Sequence, residues 1–432
     1  MLFLYNLLQI VVLFLGLPLL LLVVLLVPRY RGRTLRRLGF GLAARAGKLP
    51  PGRPRIWVHA LSVGEVASAR ALLKGLREQY PGASIIFSAA TSSGQRQAEA
   101  FPAGEADLVI ASPLDLCWCV NRFIRLLDPD LFVLVETDLW PNFLAGLRAR
   151  RVPALLVNGR ISAASLARYR RLPGFFANLF NSFAFLAMQT RTEADNLAAL
   201  GVASEKLLVL GNLKYDPLVE SPAGGADRFA GLLPLLAGRT VWLAGSTHPG
   251  EEEIVLQTYG ELRRQFPELY LVLAPRNPGR AGEVERLAAG MGLRAVLRSR
   301  AGTDGGDLLL LDTMGELAEL YRLSSLAFVG GSLVPERGHN PLEPAIFGKP
   351  VLFGPHMEDF AEIAGELLAV GAAERVEDWQ EMLLLLTGWL ADPGLREAIG
   401  RSGAGLVEAK RREVTGRHLA LLHQVLQERG LA

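Results

Sequence analysis

FVGGSLVPERGHNPLEPAIFGKPVLFGP, residues 328–355, is the stretch whose reading decides the fold. An apolar strand ends at Gly330-Gly331 and a polar loop follows. His339-Asn340-Pro341-Leu342-Glu343 then opens a short helix, which runs through Gly348-Lys349-Pro350 into a second apolar strand. Glycines without a Cβ let backbone approach a ligand, and the unpaired N–H groups of a helix start attract an anion. A glutamate one turn into the helix can accept hydrogen bonds from sugar hydroxyls. Two readings fit the stretch: an ordinary βα turn of a doubly wound domain, and a site for a nucleotide joined to a sugar.

The same alternation extends in both directions. IWVHAL (56–61), SIIFSAAT (84–91), DLVIASP (107–113), LFVLVET (131–137), PALLVNGR (153–160), FAFLAMQT (183–190) and LLVLGNLK (207–214) read as strands with helix-length segments between them. A second series contains TVWLAGST (240–247), LYLVLAPR (269–276), DLLLLDT (307–313), LAFVGG (326–331) and PVLFGP (350–355). Strands this apolar belong to parallel sheets covered on both faces. The sequence predicts two Rossmann-like α/β domains, 31–216 and 239–411, joined by a Pro/Gly/Ala-rich linker at 217–238. Their strand C-terminal ends would face a common cleft, because open α/β sheets bind ligands at that edge. A helical tail, 412–432, is expected to fold back on the first domain.

Composition narrows the function. With 46 Lys+Arg against 43 Asp+Glu in 432 residues, the charge is too balanced for a nucleic-acid binder. The two cysteines, Cys117 and Cys119, form no disulfide framework and read as core residues of a helix in a reducing compartment. Leu2–Val27 contains no charged residue, whereas Arg29, Arg31, Arg33, Arg36 and Arg37 follow closely. About 20 apolar residues span a bilayer, and flanking positive charge marks the cytoplasmic side. Residues 1–30 are therefore expected to be an uncleaved membrane anchor. Asn6, Gln9 and Pro18 keep open a helix that lies in one leaflet.

Several polar residues fall just beyond strand ends. Glu65, three residues after Ser62, reads as a capping-box acid or as a general base. Glu136, beside Asp138 and Trp140, reads as part of an N-cap network or as a catalytic carboxylate. Lys214 is either a solvated loop lysine or a point charge for a phosphate or carboxylate. Ser246-Thr247-His248 enter an acidic helix. Arg276, after Pro275, could hold a phosphate with two parallel hydrogen bonds. Met314-Gly315-Glu316 open a helix whose backbone could hold a pyrimidine or phosphate. His59 reads as a core or edge group, and His356 as a ligand contact or surface group. No H-E-x-x-H, paired CxxC, P-loop or G-x-S-x-G motif occurs, and no protein-bound metal is expected.

SVGE (62–65), ETDLWPN (136–142), GNLKYD (211–216), AGSTHPGEEE (244–253), APRNPGR (274–280), DTMGEL (312–317) and GGSLVPERGHNPLEP (330–344) occur in an order that resembles the bacterial 3-deoxy-D-manno-octulosonic acid (Kdo) transferases. The resemblance implies the GT-B glycosyltransferase fold, CMP-Kdo as donor, a tetraacylated lipid A precursor (lipid IVA) as acceptor, and no cofactor. It implies that Glu65 is the general base and that Glu136 and Lys214 stabilise the transition state. Pro275, Arg276, Met314, Gly315, Glu316, Asn340, Pro341, Leu342 and Glu343 would bind the CMP donor. Many relatives have His where this chain has Asn277. The alternative is another membrane-associated transferase of the same architecture that uses a UDP-sugar, against which ETDLWPN and GNLKYD argue. A non-catalytic scaffold is the alternative from another class.

Overall fold

The computed structural model describes residues 2–26, 28–215, 229–300 and 306–431, without the side chains of 17–31. It divides into two units, Met1–Leu218 with Arg411–Ala432, and Val219–Lys410. In the first unit, β1 (Arg55–Ala60), β2 (Ser84–Ala89), β3 (Leu108–Ala111), β4 (Leu131–Val135), β5 (Ala154–Gly159), β6 (Phe185–Met188) and β7 (Leu207–Val209) form one parallel sheet. Its order is β3-β2-β1-β4-β5-β6-β7. Side chains alternate across each strand. Trp57, Phe132 and Leu134 join the core on one face, while Ile56, Val58, Leu131 and Val133 join the other. Both faces are covered, which is why these strands read as continuous apolar runs.

The chain winds outward from β1 to β3 and then crosses back to β4, on the other side of β1. The loops after β1 and β4 therefore leave adjacent strands in opposite directions, which opens a crevice at the carboxyl edge.

The second unit repeats the plan with β8 (Thr240–Thr247), β9 (Leu269–Pro275), β10 (Ala295–Leu297), β11 (Leu308–Leu310), β12 (Leu326–Val329), β13 (Val351–Phe353) and β14 (Ala373–Arg375). The order is β10-β11-β9-β8-β12-β13-β14, all parallel. β10 and β14 are absent from the sequence reading. β10 is half-exposed throughout and β14 is Ala-Glu-Arg with two exposed charged residues, so neither reads as a buried apolar run.

Three expectations change. Residues 217–228 of the expected linker lie outside the described residues, but Phe229, Leu232, Leu235 and Leu236 are buried in the core of the second unit. The helical tail begins earlier than expected, as one helix Pro393–Gln427. Its interior glycines obscured it in sequence, since glycine weakens helices. Gly400 is needed there: a Cβ would meet the Gly348 carbonyl oxygen at 1.8 Å. The end of this helix buries Val414, Leu421, Leu422, Val425 and Leu426 in the first unit's core. Cys119 is buried as expected, whereas Cys117, at the start of the helix Cys117–Leu127, is exposed.

The glycine pair at 330–331 serves packing. A Cβ on Gly330 would lie 2.5 Å from the Ser246 carbonyl oxygen, so the end of β12 can pass β8 only without one. The loop beyond it does cradle an anion, and that anion is the protein's own. The carboxylate of Glu251, fully buried, accepts N–H bonds from Gly331 (2.7 Å), Ser332 (2.9 Å), Leu333 (2.9 Å) and His248 (2.9 Å). Successive N–H groups of this kind form a nest that a carboxylate fills. Glu251 also sits in the first turn of the helix Glu251–Gln265, where negative charge is favoured. Glu251→Ala strands four donors, two buried and two half-buried, and is expected to destabilise the protein by about 3 kcal/mol or more. Thermal unfolding measures it; a midpoint within a degree of the parent would contradict the role.

Candidate functional site

The carboxyl edge of the first sheet collects three of the predicted residues. Ser62 caps the helix Val63–Gln79, and Glu65 lies in its first turn. The Glu65 carboxylate accepts the Leu61 N–H at 2.5 Å and the Ser62 hydroxyl at 3.1 Å. The capping role is thus real, and it also fixes the carboxylate at the end of β1. Glu65 is only 8% exposed. Burial pushes its pKa up to about 7, the nearby charges of Glu136 and Asp138 push the same way, and the Leu61 and Ser62 bonds oppose them.

Glu136 follows β4, the strand beside β1. It is no helix cap: the helix Pro141–Ala149 has Trp140 at its N-cap position without a side-chain bond. Instead Asp115, from the loop after β3, accepts the N–H groups of Asn142 (3.1 Å) and Phe143 (2.8 Å). Glu136 adopts φ +59°, a left-handed conformation that non-glycine residues visit rarely. Such residues persist only where the surroundings hold them. Its carboxylate stands 3.8 Å from the ammonium of Lys214, and both side chains are 18% exposed. Lys214 is therefore not a solvated loop lysine. Its segment is pinned by Asn158, whose side chain accepts the Leu213 N–H at 2.9 Å. Asp138 accepts from the Trp140 indole at 2.7 Å. Its carboxylate lies 3.9 Å from His59 Nε2, which has no hydrogen-bond partner, while His59 Nδ1 meets Ser88. His59 is thus a core histidine satisfied on one side only.

The second unit gathers the remaining predicted residues at its own carboxyl edge. His248 follows β8, Arg276 follows Pro275 at the end of β9, and Asn340 to Glu343 lie beyond β12. His248 and His339 stack, with their Nε2 atoms 3.0 Å apart. Burial, then the Arg276 and His248 charges, lower the His339 pKa to about 4, so this imidazole is neutral near pH 7. Burial raises the Glu343 pKa to about 7, and the charge of Arg276 pulls it back. Arg276 thus acts on both groups, with its guanidinium at an exposed residue and its N–H on the Thr247 carbonyl at 2.9 Å. Asn277, the departure from the common histidine, accepts the Gly279 N–H.

The predicted helix starts are smaller than expected. The helix bearing Glu343 is Leu342–Ala345, a single turn, and its Leu342 N–H is already held by the Asn340 side chain at 3.1 Å. Met314 and Gly315 precede another single turn, Leu317–Leu320, with Gly315 at φ +77° and Met314 exposed. Glu316 is buried and accepts from the Thr313 hydroxyl at 2.7 Å and pairs with Arg298 at 3.2 Å. An anion here would meet loop N–H groups and Arg276 rather than a helix dipole. His356 faces Glu358 at the surface.

Among the described residues no group of three or more His, Cys, Asp or Glu is placed to hold a metal ion. A cavity of about 650 Å³, lined by Arg148, Arg151, Lys206 and Arg429 among others, lies near the starts of β5 and β6, away from Glu65. Sequence reading missed Asp115, Asn158 and Glu251. Asp115 does follow a strand, in SPLD, and shares the signal that marked Glu65, whereas Asn158 lies inside β5, in VNGR.

The family model described as 3-deoxy-D-manno-octulosonic-acid transferase (kdotransferase) matches residues 33–217. The 3-deoxy-D-manno-octulosonic acid transferase of Haemophilus influenzae is 36% identical over 380 residues, covering 87% of each chain. That of Bordetella pertussis is 32% identical over 374 residues, covering 84% of this chain and 85% of its own. The crystal structure of UDP-GlcNAc 2-epimerase from Neisseria meningitidis bound to UDP-GlcNAc shares the fold, with a TM-score of 0.61 at 15% identity over 87% of this chain and 100% of its own. With catalytic-type carboxylates at one carboxyl edge and this likeness over most of its length, the chain belongs to the 3-deoxy-D-manno-octulosonic acid transferase family.

Proposed function

We propose that this enzyme, with the GT-B fold, moves Kdo from CMP-Kdo to a lipid A precursor such as lipid IVA, by inverting displacement, in lipopolysaccharide inner-core synthesis. The observation that supports it most is a buried Glu65 with its pKa raised to about 7, beside Glu136 and Lys214. Glu65 takes the proton from the attacking sugar hydroxyl. The anomeric carbon gains positive charge as CMP departs, and the Glu136 carboxylate opposes that charge. Lys214 and Arg276 balance the negative charge of donor and leaving group. Pro275, Arg276, Met314 to Glu316 and Asn340 to Glu343 hold the nucleotide in the second unit. CMP is already an activated leaving group, so this reading assigns the step to side chains and requires no metal.

The reading places the protein at the cytoplasmic face of the bacterial inner membrane. Among the described residues no helix is long and apolar enough to cross a membrane. The N-terminal helix Leu2–Leu26 exposes Phe3, Leu4, Leu8, Val12, Phe14 and Leu15, which supports contact with lipid, and the arginines after it favour anionic lipid.

Incubation with CMP-Kdo and lipid IVA, followed by mass spectrometry, tests the transfer: the acceptor gains the mass of one or more Kdo residues. CMP is expected to raise the melting temperature and UDP to leave it unchanged; the reverse pattern would move the assignment to a UDP-sugar donor. Glu65→Gln is expected to lower kcat by about 10²–10⁴-fold while CMP binding persists. Because the raised pKa keeps Glu65 protonated in acid, kcat/KM should rise with pH through about 7 and level off above it. A profile flat from pH 5 to 8 would remove Glu65 as the base.

A further inference from the structure

The N-terminal helix contains three polar residues in its apolar first half, Tyr5, Asn6 and Gln9. Their spacing puts them on one face. They are partly buried, whereas every other residue from Leu2 to Leu15 is exposed. Tyr5 donates its hydroxyl to Asp115 Oδ2 at 2.8 Å, and Gln9 Nε2 donates to the Asp115 carbonyl at 3.0 Å. Asn142 Nδ2 donates to Asn6 Oδ1 at 2.8 Å, to Gln9 Oε1 at 3.2 Å and to the Asp115 carbonyl at 2.7 Å. Asp115 and Asn142 are 7% and 4% exposed, so these bonds join half-buried side chains of the helix to buried partners. Every polar side chain of that face is engaged, and the partners are Asn142, in the first turn of the helix Pro141–Ala149, and Asp115, which caps that turn.

We propose that this helix face is a positioning element for catalysis, bracing through Asp115 and Asn142 the short loop that carries Glu136. The proposal rests on the transferase reading. The loop 136–140 is held at one end by β4 and at the other by the Asp115 cap. Glu136 sits in a left-handed conformation that its surroundings must maintain, and its carboxylate must stay near Lys214. Removing the brace frees the far end of the loop. The same helix thus has two faces with two tasks. Its apolar outside meets lipid, and its polar inside orders the transition-state carboxylate, which couples membrane seating to the geometry of the reaction.

The test uses the full chain in detergent micelles, with wild type, Asn6→Ala/Gln9→Ala, the milder Tyr5→Phe, and each combined with Glu136→Gln. The double variant is expected to lose about tenfold in kcat, the equivalent of one to two hydrogen bonds, with KM for CMP-Kdo within about twofold. In the Glu136→Gln background it should lose nothing more, because the carboxylate it positions is gone. Hydrogen exchange at residues 136–143 should quicken about tenfold in the variants while the β1–β2 amides keep their rates. Unchanged exchange at 136–143, or an equal loss with and without Glu136, overturns the proposal. Wild type that transfers no Kdo sinks the transferase reading instead, and the exchange rates still decide whether the brace exists.

Discussion

The pairing of β1 with β4 is the constraint on which the site depends. Because the chain places β2 and β3 on one side of β1 and returns to put β4 on the other, the loops after β1 and β4 emerge side by side. Glu65 and Glu136 stand at those two loops. Neither loop could bring its carboxylate to this position alone. Burial and the nearby charge of Glu136 raise the pKa of Glu65, and the ammonium of Lys214, from beyond β7, stands 3.8 Å from the Glu136 carboxylate.

The second unit solves a different problem with the same topology. Under the proposed function its carboxyl edge presents positive and polar groups to a nucleotide without leaving buried donors unpaired. Glu251 satisfies the loop after β12 from inside, so that loop is rigid before any ligand arrives. Glu252, buried beside it, pairs with Arg280 at 2.9 Å. Arg276 is left at the exposed rim, with a neutral His339 and a Glu343 poised near neutrality as neighbours. Preorganised charge of this kind would cost no rearrangement on binding the phosphate of the proposed donor.

Much of this was legible in the chain, for physical reasons. Buried parallel strands are apolar throughout, so all seven strands of the first sheet and five of the second announced themselves. β10, half-exposed throughout, and β14, with two exposed charged residues, did not. Glu65, Glu136 and Lys214 were legible because a charged residue right after an apolar strand is unusual. Asp115 stood in the same position, but its partners Tyr5, Gln9 and Asn142 are 110, 106 and 27 residues away in sequence. No local pattern reveals such a network. The glycine pair left its two readings open for a related reason. Gly330 makes room for the backbone of β8, a contact 84 residues distant that only the fold creates.

The claim at the centre is that the β1–β4 crevice holds Glu65 as a carboxyl group poised near neutral pH. Its titration can be followed directly, by the infrared carboxylate band of ¹³C-glutamate protein as a difference between wild type and Glu65→Gln. The account predicts a midpoint of about 7, falling when Glu136→Gln removes the neighbouring charge. A midpoint near 4.5, the ordinary glutamate value, in both backgrounds would contradict it.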